Sequence, residues 1–337
     1  MQNLDFSLLT IMLCKILRPH MNADTKKQCL LKKQPIMRRM IVALTPCTLA
    51  AVYFFGWRSL LMVLVSIAAG FGTEYLFTRR RGEPVTEAVL VSSIIYALIL
   101  PPTIPWHVLV IGMIFAIMFG KMVFGGFGYN IFNPAMAGRA FIYICFPVAM
   151  TATWAPVAQG PWGALGMWST AMAPDVITSA TPMALVKAGQ LAPPPLIQMF
   201  IGRVSGTMGV TSVLAILLGG IYVFVTKTAS RRIITAVIVT YALANGLLTL
   251  LRVPGVAGVM PALLGGGFLF GAFFMATDPI SAPKTKPAKI VYGVIIALST
   301  AIIRIFSVFN GGFMFSLLLA NMFAPILDHG FKLRSKR

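Results

Sequence analysis

Ten apolar runs of near-membrane length, separated by short polar connections, limit this chain more than any other feature. They cover residues 40–56, 58–77, 86–100, 106–123, 134–150, 207–225, 233–251, 256–276, 289–306 and 311–328. A helix needs about 20 predominantly apolar residues to cross a bilayer. Several runs are shorter, which a membrane protein accommodates where a helix is tilted, broken or buried in a bundle. With 58% of the 337 residues hydrophobic and 11% charged, the composition excludes an ordinary soluble globular domain. The expected fold class is an all-α integral membrane protein of about ten transmembrane helices.

The charges test that count independently. Lys and Arg number 28 against 8 Asp and Glu, a net charge of +20. They fall in clusters between the apolar runs, not in a groove interleaved with aromatics, so the excess points to anionic lipid headgroups and not to nucleic acid. If every run crosses, basic clusters should mark every second connection on the cytoplasmic side. They occupy 26–39, "RRR" at 79–81, Lys121 weakly, 227–232, 284–289 and the C-terminal "KLRSKR", while the alternate connections carry single arginines. Both termini are therefore expected in the cytoplasm. The expected organisation is a cytoplasmic tail at 1–39, a first five-helix unit at 40–150, an outer-face loop at 151–206, a second five-helix unit at 207–328 and a cytoplasmic tail at 329–337.

Five runs per half would set the halves in opposite orientations, as in an inverted repeat. Matching interruptions follow in the same order: "LPPTIP" after the third run and "TDPISAP" after the eighth, "FGGFGYNIFNPA" after the fourth and "FNGGFMFSLLLANMFAP" after the ninth. Ordinary Gly and Pro kinks are the plainer reading. The four cysteines, Cys14, Cys29, Cys47 and Cys145, are scattered without a CxxC pair or His at ligand spacing, and they suggest no metal site or disulfide framework. The first apolar stretch is short and precedes a basic segment, so no cleavable signal peptide is expected, and Met21 reads as a plausible second start.

Against this background "DVITSATPMAL" at 175–185 is a rare compact polar patch. Thr181 before Pro182 suits a helix start, with a hydroxyl cap and a proline at the first helical position, and Gly189 suits its end. The same geometry offers free amides to an anion such as a phosphate. Local chemistry leaves both readings open.

"DVITSAT" is similar to the D-x-x-[ST]-[GS]-A-T flavinylation motif of the RnfD/NqrB family, the membrane subunits of Rnf and Na+-translocating NADH:quinone oxidoreductase complexes. The resemblance extends from about residue 36 through "LPPTIP", "GKMVFGGFGYNIFNPAMAGRAF", "FMATDPISA" and "NMFAPILDH", in family order. It implies FMN joined through its phosphate to Thr181 by a flavin transferase, with Asp175, Thr178, Ser179 and Ala180 completing the motif, and a second flavin such as riboflavin elsewhere. It also implies a bacterial inner-membrane location and partner subunits that hold the NADH and iron–sulfur chemistry. Features of both types are present: "EAVLVSSIIYALILPP" leans to Nqr and the short N-terminal region to Rnf. Val210 stands in "GTMGVTS" where the family commonly has glutamate.

The few intramembrane polar groups carry two readings each. Glu74 lies close enough to "RRR" to be its interfacial ion-pair partner. Glu87 opens the third run, either as a charge on a helix N-terminus or, by resemblance, as part of a cation route. Arg139, inside an apolar run, needs an anion. Asp278 is offered as that partner or as a cap. Asn133, with Asn130 and Thr277, either meets an isoalloxazine ring or satisfies interrupted backbone. His20, His107 and His329 lie near predicted interfaces and read as solvated. The leading function is an electron-carrying subunit of a redox-driven Na+ or H+ pump. A urea-channel-like solute channel or transporter is the alternative, since that architecture is shared, and a cofactor-less scaffold is a third reading.

Overall fold

Pro35 starts the first membrane helix ahead of its apolar run. A proline at the first helical position forfeits nothing, because its missing N–H would have had no partner there. A computed structural model gives the fold for residues 31–152, 154–158, 160–170, 194–256, 258–307 and 312–335. Helix α1 (Pro35–Phe55) is followed by α2 (Trp57–Arg81), α3 (Ala88–Leu98), α4 (Trp106–Ile117), α5 (Pro134–Cys145) and a short α6 (Pro147–Thr151). Then come α7 (Leu196–Ile201), α8 (Val213–Val225), α9 (Arg231–Leu250), α10 (Val259–Leu264), α11 (Phe268–Phe270), α12 (Lys286–Phe306) and α13 (Phe313–Ser335). Two short strands, β1 (Leu31–Lys32) and β2 (Val85–Thr86), pair in parallel and tie the approach to α1 to the approach to α3.

Each of the ten runs contains a helical segment. Among the described residues, five helices (α1, α2, α9, α12 and α13) are long and apolar enough to cross a membrane uninterrupted. The others are cut short for reasons written in the sequence. The fifth run breaks at Phe146 because the residue before a proline, here Pro147, is pushed out of helical conformation. The sixth starts late, at Val213, after a turn that ends with Ser212 accepting a hydrogen bond from the Ala215 amide. The eighth is interrupted at Gly265–Gly267, where Gly266 and Gly267 adopt positive φ of 60° and 72°. Both α4 and α11 run on into π turns, at Met118–Met122 and Gly271–Met275. Such irregular backbone is tolerated at membrane depth where protein, not lipid, surrounds it.

Helices in matching places pack alike in the two halves. The second helix lies on the fourth and the fourth on the fifth: α2 on α4 and α4 on α5, then α9 on α12 and α12 on α13. The halves meet through α1 against α8 and α5 against α13. Small residues let α8 approach its neighbours closely, since a Cβ on Gly220 would come within 2.8 Å of the Phe273 ring. Buried side chains of both halves form one continuous apolar cluster.

The connections gather at two ends. At one, the strand pair joins residues 31–32 to 85–86, Arg81 donates to the Gly125 carbonyl, and the Lys284 and Thr285 amides donate to Asp328. All the basic clusters among the described residues lie at this end. At the other, Tyr53 donates to the Gly160 and Pro161 carbonyls, and the Met208 and Gly209 amides donate to Leu100 and Leu98. Gly56, at φ 92°, turns α1 into α2 there, and a Cβ on it would meet the Met167 and Trp168 carbonyls at 2.8 Å.

Candidate functional site

Two clusters of polar side chains stand out, one at each end. At the basic end the centre is Lys121, which the π turn of α4 aims into the protein. Its side chain is 2% exposed and that of its partner Glu74 only 1%. The ammonium donates to Glu74 Oε2 at 2.6 Å and to Thr86 Oγ1 at 2.7 Å. Thr86 closes the triad by donating its hydroxyl (2.7 Å) and its amide (3.0 Å) to Glu74 Oε1. This corrects the sequence reading twice. Glu74 is not the interfacial partner of "RRR", whose arginines are exposed, and Lys121, counted weakly among the basic groups of the cytoplasmic connections, is buried. A buried ammonium and a buried carboxylate each need the other, because an unpaired charge in that surrounding is costly.

Three further carboxylates anchor the same end. Glu87 accepts from Arg38 Nε and Nη2 at 2.9 and 2.8 Å and from the Gln34 amide at 2.5 Å, and it makes no capping bond to its own helix. Asp278 accepts from the Ser281 amide (3.3 Å) and hydroxyl (2.8 Å), which is the capping role and not the role of partner to Arg139. Asp328 accepts from the amides of Lys284 and Thr285 at 2.7 and 2.8 Å. Between the halves, Lys121, Asp278, Asn130, Asn133, Ser92 and Thr228 border a cavity of about 40 Å³. That is room for two or three water molecules.

The asparagines serve interrupted backbone. Asn133 caps α5 by accepting from the Ala135 amide at 3.1 Å and donates to the Met275 carbonyl at 3.4 Å, while Asn130 donates to Phe132 and Thr277 to Phe273. Arg139 has no hydrogen bond or ion pair to a described residue, and its Nε is buried without a partner. The anion that the sequence asks for is thus unmet among the described residues. His107 and His329 are exposed, as expected.

At the opposite end the polar centres are guanidinium groups. Arg58 donates to the carbonyls of Pro102 and of Ile104 (2.8 Å) and lies over the Trp106 ring at 5.3 Å. Arg304 donates to Tyr241 Oη at 2.8 Å and to the carbonyls of Ala262 and Gly266 at 2.9 Å, with the Tyr241 and Phe268 rings beside it. Each arginine therefore satisfies carbonyls freed where a membrane run ends or breaks, the connection after the third run for Arg58 and the break in the eighth for Arg304. Val210 packs against Gly267 in the second of these breaks. Sequence reasoning missed both roles, although a lone arginine bordering an apolar run beside a Pro- or Gly-rich break was a readable signal.

Asp175, Thr178, Ser179, Ala180 and Thr181 lie outside the described residues, as do His20 and the expected short helix from Thr181. The two flanks of their segment are described, and both belong to the opposite end. On one side the Trp168 carbonyl accepts from the Arg58 amide and Thr170 is buried. On the other, α7 packs against α8 and α10, and Gly202 lies against Ser212. The hydroxyls of Ser59 and Thr170 are buried there without a partner among the described residues. Among the described residues no group of three or more His, Cys, Asp or Glu side chains is arranged to hold a metal ion.

Residues 18–336 match the model of the NQR2, RnfD, RnfE family. The chain is 39% identical over 295 residues to a subunit of the Na(+)-translocating NADH-quinone reductase of Chromohalobacter salexigens, covering 84% of this chain and 66% of that one. It is 34% identical over 322 residues to a subunit of the ion-translocating oxidoreductase complex of Aeromonas hydrophila subsp. hydrophila, covering 88% and 92%. It is 35% identical over 303 residues to a subunit of the Na(+)-translocating ferredoxin:NAD(+) oxidoreductase complex of Acetobacterium woodii, covering 87% of each. The chain thus spans just under two thirds of the first relative's length and nearly all of the second's.

Proposed function

This chain belongs to the NQR2, RnfD, RnfE family, and from that premise we propose that it is the flavin-carrying membrane subunit of a redox-driven Na+ or H+ translocating complex. Its relatives are named as subunits of such complexes. The proposed partners are the other membrane and peripheral subunits, a flavin transferase and the surrounding lipid. The location is a bacterial inner membrane, with the basic end and both termini in the cytoplasm and the two halves inverted relative to each other.

The observation that carries the flavin reading is the position of the "DVITSAT" segment. Both of its flanks are held at the end that lacks basic clusters, so Thr181 would carry FMN on the outer side, where an untethered cofactor would diffuse away. FMN so attached supplies one-electron redox chemistry. The protein's part is to hold that segment. Arg58 and the Gly56 turn fix the backbone of 167–168, and the unpartnered Ser59 and Thr170 hydroxyls offer polar contacts at its foot. Of the other residues offered for a cofactor, Asn133 is spent as a helix cap and Asp278 on Ser281, whereas Arg139 keeps a buried Nε donor unmatched among the described residues, suited to an anionic group. A second flavin has no room in the small cavity between the halves, whereas a cavity of about 770 Å³ at the same end, bordered by Glu74, Thr86, Phe127 and Tyr129, is of ligand size.

A solute channel gains no support from the names of the relatives. The deciding experiment is mass spectrometry of the peptide from Asp175 to Lys187 after co-expression with a flavin transferase. Wild type should carry FMN less one water on Thr181, and Thr181→Ala should carry none. An unmodified wild-type peptide, or modification that survives Thr181→Ala, overturns the assignment.

A further inference from the structure

Residues 171–193 lie between two described arms, the loop at 160–170 and helix α7, and both arms present large apolar side chains outward. On the loop these are Trp162, 80% exposed, with Met167 and Trp168. On α7 they are Ile197, 68% exposed, with Leu196 and Phe200. Exposed apolar side chains gathered in this way mark a contact surface, and the level at which the arms are held is the first indication of what they contact. The Ala164 amide donates to the Tyr53 carbonyl at 2.7 Å, Trp57 Nε1 to the Leu165 carbonyl at 2.8 Å and the Arg58 amide to the Trp168 carbonyl at 2.9 Å. Tyr53 is in the last turn of α1 and Trp57 opens α2, so the loop is clamped beside that corner instead of standing off it. On the other arm, a Cβ on Gly202, just past α7, would come within 3.0 Å of the Phe54 ring at the same corner. Exposed Leu49 and Leu61 lie one turn (~6 Å) further along α1 and α2. The arms therefore continue the outward apolar surface of two membrane-spanning helices.

Charge is the second indication. Among the described residues from 140 to 206, the one charged side chain is Arg203, exposed just past α7. Electrostatic steering of a water-soluble partner has almost nothing to act on here. An uncharged, Trp-bearing surface with one arginine at its margin matches instead the boundary between acyl chains and headgroups, where Trp rings concentrate and an arginine reaches phosphate. We propose that both arms insert into the lipid interface at this end of the bundle, so that the chain enters and leaves the "DVITSAT" segment at headgroup depth. The inference adds a bilayer contact to the flavin reading and does not depend on it. The hydrogen bonds to Tyr53, Trp57 and Arg58 hold the loop's backbone, which leaves its exposed indoles and thioether free to meet lipid.

The test places a nitroxide on Trp162→Cys and, separately, on Ile197→Cys in the assembled complex in lipid bilayers, in a background without other reactive cysteines. Both native side chains are exposed, so their loss leaves the packing intact. Met167→Cys serves in place of Trp162→Cys should the latter fail to assemble. Collisions of the label with oxygen, which partitions into lipid, are compared with collisions with a neutral, water-soluble nickel chelate. Both labels should collide mainly with oxygen and report a depth of about 5–10 Å into the interface, whereas a label on the exposed Arg252→Cys should collide more with the chelate. Chelate contact at either arm equal to that at Arg252→Cys overturns the proposal. So does shielding of the arms from both reagents, the signature of a partner subunit covering them. Flavin is read separately on the Thr181 peptide, and its absence while both labels sit in lipid overturns the flavin reading alone.

Discussion

The two ends of the bundle hold their connections in opposite electrical senses. At the end crowded with lysine and arginine, the anchoring groups are carboxylates: Glu74, Glu87, Asp278 and Asp328 accept from an ammonium, a guanidinium, hydroxyls and backbone amides. At the end without basic clusters, Arg58 and Arg304 donate to backbone carbonyls after the third run and at the break in the eighth. A guanidinium in a protein is permanently charged and presents a rigid fork, so an end built on it is a fixed scaffold. A carboxylate can exchange one cation for another. The difference fits the proposed function, in which exchangeable chemistry would belong to the basic end and a stationary attachment point to the other.

The comparison breaks outright if the ends are not on opposite sides of the membrane. Arg80 and Arg252 are both exposed, one at each end. In a background without reactive cysteines, Arg252→Cys should react completely with a membrane-impermeant maleimide added to intact cells, and Arg80→Cys only after permeabilisation. Labelling of both from one side would dissolve the distinction between the ends.

Energetics sharpen it next. Lys121→Met leaves the Glu74 carboxylate buried without its partner, which should cost about 3–5 kcal/mol. Arg304→Ala leaves carbonyls and a hydroxyl unsatisfied but strands no charge, and should cost about 1–3 kcal/mol. Thermal unfolding in detergent would rank the two. A larger loss for Arg304→Ala would show that the scaffold end, and not the buried pair, dominates stability.

This ranking also marks what the linear chain could reveal. The apolar runs and the alternation of basic clusters were legible because both are local in sequence, and the structure gathers those clusters at one end. Breaks at "LPPTIP" and "LLGGG" were legible as Pro and Gly. Their satisfaction by Arg58 and Arg304 was not, since the partners are 44 and 42 residues apart in the Arg58–Pro102 and Arg304–Ala262 contacts. The Glu74–Lys121 pair, 47 residues apart, was likewise hidden. "RRR" stood closer to Glu74 in the chain and offered a cheaper explanation for its charge. Asn133 was readable as a cap from the Asn-Pro step alone, and there the structure agrees with the plainer of two readings.

The smallest expected effect tests whether the four carboxylates of the basic end are alike. Glu87 is nearly buried, its side chain 4% exposed, yet its partner Arg38 is 38% exposed and reaches solvent. Water screens that guanidinium in either state, so the pair contributes little compared with Lys121 and Glu74. Glu87→Gln keeps an acceptor for Arg38 and loses the second oxygen that takes the Gln34 amide. The net loss of stability should be about 1 kcal/mol or less. If Glu87 also belongs to a cation route, the same variant should weaken the cation dependence of turnover in the complex while leaving flavin content on Thr181 intact. Unchanged cation dependence would confine Glu87 to fastening the entry of α1 against α3. A loss of stability as large as that of Lys121→Met would instead make every carboxylate at this end structural, and the exchangeable character assigned to it would fail.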